Sequence, residues 1–279
     1  MTPHAQLSDS EFRQVQRIVY EAAGLAIAET GRILLSSRVR KRLRILGLES
    51  FRDYIQRLST DPDGTELTAF LDAVCSKETS FFRSPSHFDW FVSEFLSAPK
   101  LANEFESGAW LVPERKVFRI WSAACSSGEE AYSLAIILTH NQARLSGLDV
   151  SLFASDLSTS VIEYAKEGIY SPRDVSKLDV AVQSYFEPDG VDMRVKSSVR
   201  ERVQFFQHNL MQPAPHKDLD CLFLRNVLIY FDTTSKEKVL AHMIDAIRPG
   251  GFLVTGPSEG VFDIPFGLQR LSPFLFLRC

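Results

Sequence analysis

The chain has 279 residues, 45% of them hydrophobic and 24% charged, enough apolar material for one large or two ordinary domains, each with its own core. Its 31 basic and 35 acidic side chains give a net charge of −4, which disfavours nucleic acid as a partner of the whole surface. Four scattered cysteines without a CxxC, six histidines without metal-ligand spacing, no apolar signal core and no apolar run long enough for a bilayer predict a cytoplasmic protein without a metal site or direct membrane insertion.

Residues 1–96 read as a small all-α unit. Ser8-x-x-Glu11 is a capping box that opens a helix with Phe12, Val15 and Val19 on one face, ended by Gly24. Helices are expected from about Arg32 to Leu46, from Ser50 to Leu58, over Leu67, Phe70, Leu71 and Val74, and from Ser86 to Leu96, with a turn at Asp61-Pro62-Asp63-Gly64. Residues 97–116 mix Pro, Gly, Glu and Lys and read as a linker.

From Val117 to Cys279 the texture becomes α/β. Buried strands are expected at Val117–Trp121, at Val150–Ala154 running on to Asp156, and at Asp220–Leu224, with helices following at Glu129–Asn141, Ser158–Glu167 and Thr233–Ile247. Arg248-Pro-Gly-Gly251 stops the last helix, and Phe252–Thr255 and Phe274–Leu277 form a final strand pair. Residues 186–205, with a Pro188-Asp-Gly190 turn and alternating Val191, Met193 and Val195, read as a small antiparallel insertion. This alternation predicts a doubly wound, mostly parallel sheet whose ligand lies beyond the strands' carboxyl ends.

The turn Ser122 to Glu130 is small-residue-rich but lacks GxGxxG, so a close ligand approach and a plain capped connection both fit it. Glu129 and Glu130 at the helix start disfavour a pyrophosphate and favour a cation, or serve only the helix dipole. Asp156 is placed to accept from ribose hydroxyls or to cap the next helix. His208-Asn209-Leu210 follows an apolar run where a third crevice loop would bracket an adenine, and Arg225-Asn226 ends a buried strand facing the crevice.

Together these residues resemble the CheR-type chemoreceptor glutamate O-methyltransferases. The likeness rests on Glu78-Thr-Ser-Phe-Phe-Arg83, Trp121-Ser-Ala-Ala-Cys-Ser-Ser-Gly-Glu-Glu130-Ala-Tyr-Ser133, Ala154-Ser-Asp156, Gly168-Ile-Tyr170, Asn209-Leu210 and Arg225-Asn-Val-Leu-Ile-Tyr-Phe-Asp232, and spans nearly the whole chain. It implies a class I methyltransferase (Rossmann-like) domain with a small β-subdomain and S-adenosylmethionine as cofactor. Glu130 and Asp156 would hold its amino-acid and ribose parts, and Asn209 and Leu210 would flank its adenine. Thr79, Arg83, Ala123, Arg225, Asn226 and Tyr230 would complete the pocket. Lys77 departs from the family, which often has Asn there.

A glutamate acceptor is already ionised at neutral pH, so the expected chemistry needs no general base, and no His–Asp or Ser–His constellation is evident. Arg83 is the candidate to hold the acceptor carboxylate and Tyr230 to orient a partner. Residues 31–48 contain no acid. Their helical wheel puts Leu35, Val39, Leu43 and Leu46 on one stripe, and Arg38, Lys41, Arg42 and Arg44 are expected to face the methylation helices of an acidic receptor. The short loop at Gly190 predicts an enzyme that works without a receptor C-terminal pentapeptide, and a monomer is expected. Two readings compete. One is a class I methyltransferase acting on a small molecule or nucleic acid, which Arg225-Asn-Val-Leu-Ile-Tyr230 in place of Asn-Pro-Pro-Tyr argues against. The other is a non-enzymatic cofactor sensor, which the intact Arg83 and Tyr230 argue against.

Overall fold

The computed structural model describes residues 6–61, 64–75, 77–97, 117–257, 259 and 267–279. Residues 98–116 of the expected linker and the central Pro62-Asp63 of the predicted turn lie outside them.

The N-terminal unit contains α1 (Asp9–Ala23), α2 (Arg32–Leu46), α3 (Phe51–Ser59) and α4 (Thr65–Val74). The capping box forms as the spacing predicts: the Ser8 hydroxyl accepts from Glu11 N, and the Glu11 carboxylate accepts from Ser8 N. Phe12, Val15 and Val19 of α1 are fully buried against Leu35, Val39 and Leu43 of α2 and Tyr54 and Phe70 beyond them. Leu46, expected on the same stripe, is 38% exposed, because the stripe drifts off the core by the last turn of α2.

A short helix, α5 (Pro85–Trp90), continues into a single π turn, Phe91–Phe95. The sequence suggested that this segment belongs with the preceding helices. Instead Phe88, Trp90, Phe91 and Phe95 pack in the core of the large sheet, against Phe118, Phe223 and Phe252. Seven aromatics buried together outweigh chain proximity to the helical unit.

The rest alternates: β1 (Val117–Ala123), α6 (Glu129–His140), β2 (Asp149–Asp156), α7 (Thr159–Glu167), β3 (Ile169–Tyr170), α8 (Pro172–Val175), α9 (Val180–Gln183), β4 (Phe186–Asp189), β5 (Asp192–Val195), α10 (Ser197–Arg200), β6 (Val203–Gln207), β7 (Leu219–Leu224), α11 (Thr233–Ala246), β8 (Ile247–Thr255), β9 (Leu268–Arg270) and β10 (Leu275–Arg278). Seven strands form one sheet in the order β6-β2-β1-β7-β8-β10-β9, parallel from β6 to β8 and antiparallel at β10 and β9. The direction of winding reverses at β1, so the crevice between the carboxyl ends of β1 and its neighbours is the place for a ligand. This is the doubly wound fold expected.

A second sheet, β3-β5-β4, is antiparallel. It differs from the expected insertion at both ends. Ile169–Tyr170 supplies its third strand, and Val203–Gln207 belongs to the large sheet, where Leu152 pairs with Val203. The apolar alternation through Val203 does not distinguish a small sheet from a large one, since both bury one face.

Candidate active site

The carboxyl ends of β1, β2, β6 and β7 open on a cavity of about 360 Å³. Its far wall comes from the helical unit, with Leu25, Ala26 and Ile27 after α1, Leu34 and Arg38 on α2, and Val74 and Cys75 at the end of α4.

The turn from β1 to α6 is tightly wound. Ala124 and Ser126 have φ of 61° and 50°, and Gly128 has φ of 97° with Ala165 so near that an added Cβ would lie 2.9 Å away. Phe82, Ser84 and Asn226 also have positive φ, at 51°, 60° and 59°. Of the positive-φ non-glycine residues among those described, only Asp218 lies away from these loops. Strain of this kind concentrates where surrounding structure holds a site in shape. The holding contacts are Tyr170 Oη donating to Ser127 O (2.7 Å), Tyr132 Oη donating to Ala165 O (2.6 Å) and Phe82 N donating to Ser133 Oγ (2.9 Å). Motif residues Tyr132, Ser133 and Tyr170 therefore brace the turn.

Asp156 joins two loops. Its Oδ2 accepts from Ser126 N (2.9 Å) and its Oδ1 from Ser158 N (3.0 Å). Burial pushes its carboxyl above the ordinary range, and these two amides pull it partly back. Glu130 Oε1 accepts from Ser122 Oγ (2.8 Å) and Oε2 from Arg225 Nη1 (2.9 Å). Burial raises its carboxyl too, opposed first by Arg225. Arg225 also donates through Nη2 to Arg83 O and sits over the Phe88 ring at 5.4 Å. Glu129 does not reach the cavity; its carboxylate accepts from Ser127 Oγ (2.7 Å).

All the cofactor residues expected from the sequence line this cavity except Ala123. Thr79, Arg83, Glu130, Asp156, Asn209, Leu210, Arg225, Asn226 and Tyr230 all do. Ala123 is the last residue of β1 and packs with Trp121 and Leu224 in the core; the left-handed turn presents Ala124 instead. Asn209 is less free than expected. Its Nδ2 donates to Ala22 O (2.8 Å) and its Oδ1 accepts from Met211 N (3.0 Å), tying the β6–β7 loop to α1. Arg83 and Tyr230 are exposed at the cavity wall, and Tyr230 O accepts from Ala26 N (2.9 Å).

The basic helix divides. Lys41 and Arg44 are exposed. Arg38 lines the cavity and donates to Val74 O. Arg42 turns inward: Nε and Nη2 reach Glu66 at 2.9 and 2.5 Å, and Tyr54 Oη donates to the same carboxylate at 2.6 Å. Glu66 is only 4% exposed, so a charge on Arg42 is needed inside the unit. Arg42 is thus not available as a free receptor contact.

Sequence reasoning missed three features. Leu25–Ile27, after the helix-ending Gly24, carried no expectation, yet it forms a wall. Cys75 lines the cavity with its thiol pushed up to about 12 by burial, so it stays neutral. Glu259, 1% exposed, accepts from Val227 N (2.7 Å), Leu228 N (2.8 Å) and Gly256 N (2.5 Å) and so fixes the loop carrying Asn226 and Tyr230. A single glutamate in a Pro-Ser-Glu-Gly stretch carries no signal of that role.

The cavity has the chemistry of a cationic ligand's site. Asp156 is held by backbone amides rather than by a hydrogen-bonded cation among the described residues, while Glu130 is paired with Arg225. Arg225 Nε, Ser126 Oγ and His208 Nε2, on three lining residues, are buried polar atoms without a protein partner. Among the described residues no group of His, Cys, Asp and Glu has the arrangement of a metal site, and no helix is long and apolar enough to cross a membrane.

Comparison with known proteins gives a family for both units. The family model "CheR methyltransferase, all-alpha domain" matches residues 10–75, and "CheR methyltransferase, SAM binding domain" matches residues 77–271. A chemotaxis protein methyltransferase of Klebsiella aerogenes is 34% identical over 274 residues, covering 95% of this chain and 88% of that protein. One of Escherichia coli (strain K12) is 34% identical over 271 residues, covering 93% and 87%. One of Vibrio anguillarum is 31% identical over 280 residues, covering 98% of each.

Proposed function

Since the chain belongs to the CheR methyltransferase family and is an S-adenosylmethionine-dependent methyltransferase of chemotaxis, we propose that it methylates glutamate side chains on the cytoplasmic helices of bacterial chemoreceptors, giving glutamyl methyl esters. The observation that carries this reading is the cavity itself. Its wall holds Glu130, Asp156 and Arg225, suited to a zwitterionic and cationic cofactor, together with an exposed arginine, Arg83, and an exposed tyrosine, Tyr230, which would meet the acceptor.

The donor set fits the cofactor. Asp156 would take the ribose hydroxyls, Glu130 and Arg225 the charged amino-acid end, and Asn209 and Leu210 the adenine, with Thr79 and Asn226 completing the wall. When bound, S-adenosylmethionine supplies a methyl group on a sulfonium whose leaving group is a neutral thioether. The chain's own contribution is alignment and exclusion of water. Arg83 holds the acceptor carboxylate by charge, and Tyr230 orients it through its hydroxyl. The acceptor needs no proton removed, because a glutamate with pKa of about 4.3 is ionised at neutral pH. Alignment of two partners can contribute roughly 7–11 kcal/mol in favourable cases.

The all-α unit is then the receptor-contacting part, with Lys41 and Arg44 the exposed cations of α2 and Arg38 nearer the reacting groups. The two-residue turn between β4 and β5, Gly190-Val191, leaves little backbone for an added peptide strand, which supports an enzyme independent of a receptor C-terminal pentapeptide. The test is to incubate the protein with labelled cofactor and a panel of receptor cytoplasmic fragments, and to locate the methyl group by mass spectrometry. Methylation of glutamates in the fragments supports the reading; label confined to small molecules or nucleic acid overturns it.

A further inference from the structure

Asp72 sits in the last turn of α4, the wrong end of its own helix for a carboxylate. Its partners lie across the seam. Oδ1 accepts from Thr159 N (2.9 Å), and Oδ2 accepts from Thr159 Oγ1 (3.0 Å) and Ser160 N (3.1 Å). These are the first two amides of α7, a nine-residue helix whose third amide, Val161 N, is taken by the Ser158 hydroxyl. An unfavourable end for α4 is thereby a favourable one for α7. Lys77 adds a second tie, Nζ to Ser160 Oγ at 3.0 Å.

The position of this clasp matters. Thr159 lies three residues after Asp156, and Ser158 N is one of the two amides that hold the Asp156 carboxylate. On the other side, Val74 and Cys75, two and three residues after Asp72, line the cavity. Asp72 itself does not line it. Asp72 therefore grips, from outside the cavity, both the loop that presents Asp156 and the end of the wall that faces it.

We infer that Asp72 is a positioning residue for the cofactor: through its cap on α7 the docking of the all-α unit and the binding of S-adenosylmethionine are one coupled equilibrium. Reciprocity then requires that cofactor tighten the clasp as much as the clasp tightens cofactor binding. The inference rests on the cofactor assignment and assigns to the helical unit a part in cofactor affinity separate from receptor contact.

The experiment uses the full chain as wild type, Asp72→Ala and Asp72→Asn, with S-adenosylhomocysteine as the probe. Calorimetry is run well below each variant's melting temperature, and hydrogen exchange is followed over α4 and the first turn of α7 with and without the probe. Asp72→Ala should weaken binding about tenfold and leave the KM for a receptor fragment unchanged, a split of the size usual for coupled sites. Asp72→Asn keeps one acceptor oxygen and should fall between. In the wild type the probe should slow exchange in α4; in Asp72→Ala that slowing should vanish while protection of the Ser122–Gly128 turn remains. A variant with a lower melting temperature but wild-type affinity and wild-type protection of α4 would make Asp72 a purely structural cap and overturn the inference. Wild-type protein that fails to bind the probe would instead refute the cofactor assignment, and the coupling with it.

Discussion

Glu130 and Arg225, 95 residues apart in the chain, meet as an ion pair of 2.9 Å with the Arg225 side chain 1% exposed. The pair joins the start of α6 to the end of β7, and the Arg225 bond to Arg83 O brings in the loop that carries Thr79 and Arg83. One buried contact thus sets three pieces of the cavity wall. Arg225→Ala leaves a buried carboxylate without its cation, a change that costs about 3–5 kcal/mol in comparable pairs. We expect a loss of that order in denaturant-induced unfolding, together with loss of S-adenosylhomocysteine binding. Unfolding indistinguishable from wild type would mean that the pair does not organise the site.

The contact between Arg42 and Glu66 predicts a different phenotype from the one a helical wheel suggests. Arg42→Glu should destabilise the protein by several kcal/mol, because it puts a second carboxylate beside Glu66 in a closed site. Burial pushes the Glu66 carboxyl up, but the hydrogen bonds from Arg42 and Tyr54 outweigh it and leave it below the ordinary glutamate range. A depressed carboxyl contributes stability that is fully present above the ordinary value and is lost as pH falls through the lower folded value. Acidification below about pH 4.5 should therefore weaken the helical unit in wild type, and Glu66→Gln should flatten that part of the stability profile. Superimposable profiles would contradict the assignment.

Lys41 and Arg44 remain as exposed cations on α2. Reversing both to Glu should raise the apparent KM for receptor fragments, leave S-adenosylhomocysteine affinity unchanged, and flatten the salt dependence of the wild-type rate, since exposed charges are screened over about 8 Å at physiological ionic strength. A rate that does not respond to salt in either protein removes electrostatic steering from the account.

Arg83 tests the division of labour inside the cavity. Its guanidinium is exposed and donates to Glu78 O (3.1 Å). Arg83→Ala should lower kcat far more than cofactor affinity if it aligns the acceptor. Equal losses in both would make it a cofactor ligand only.

Much of this was legible in the sequence because it is local. The capping box at Ser8 and Glu11, the strand-end turn from Ser122 to Gly128, and Asp156 and Arg225 at the ends of apolar runs carry their meaning in a few neighbouring residues. What was not legible depends on tertiary approach. The wheel of α2 marks Arg42 as a flank residue but cannot say that Glu66 and Tyr54 stand against that flank. Leu25–Ile27 becomes a cavity wall through tertiary contacts: Ala26 N donates to Tyr230 O, and Gly24 comes so close to Met211 that a Cβ there would lie 2.4 Å from the sulfur. The aromatic run Phe88–Phe95 is chosen by the sheet, not by the helices before it. Ala123 and Ala124 differ in role because of one left-handed residue.

The central claim is that the methyl group goes to a carboxylate oxygen of a protein. It is tested most directly by transferring a tritiated methyl group from S-adenosylmethionine to a receptor cytoplasmic fragment and treating the isolated product with alkali. The account predicts that the label appears on the fragment and is released as methanol, as an ester must. Label that stays on the fragment through alkali would mean an N-methyl product and would contradict it.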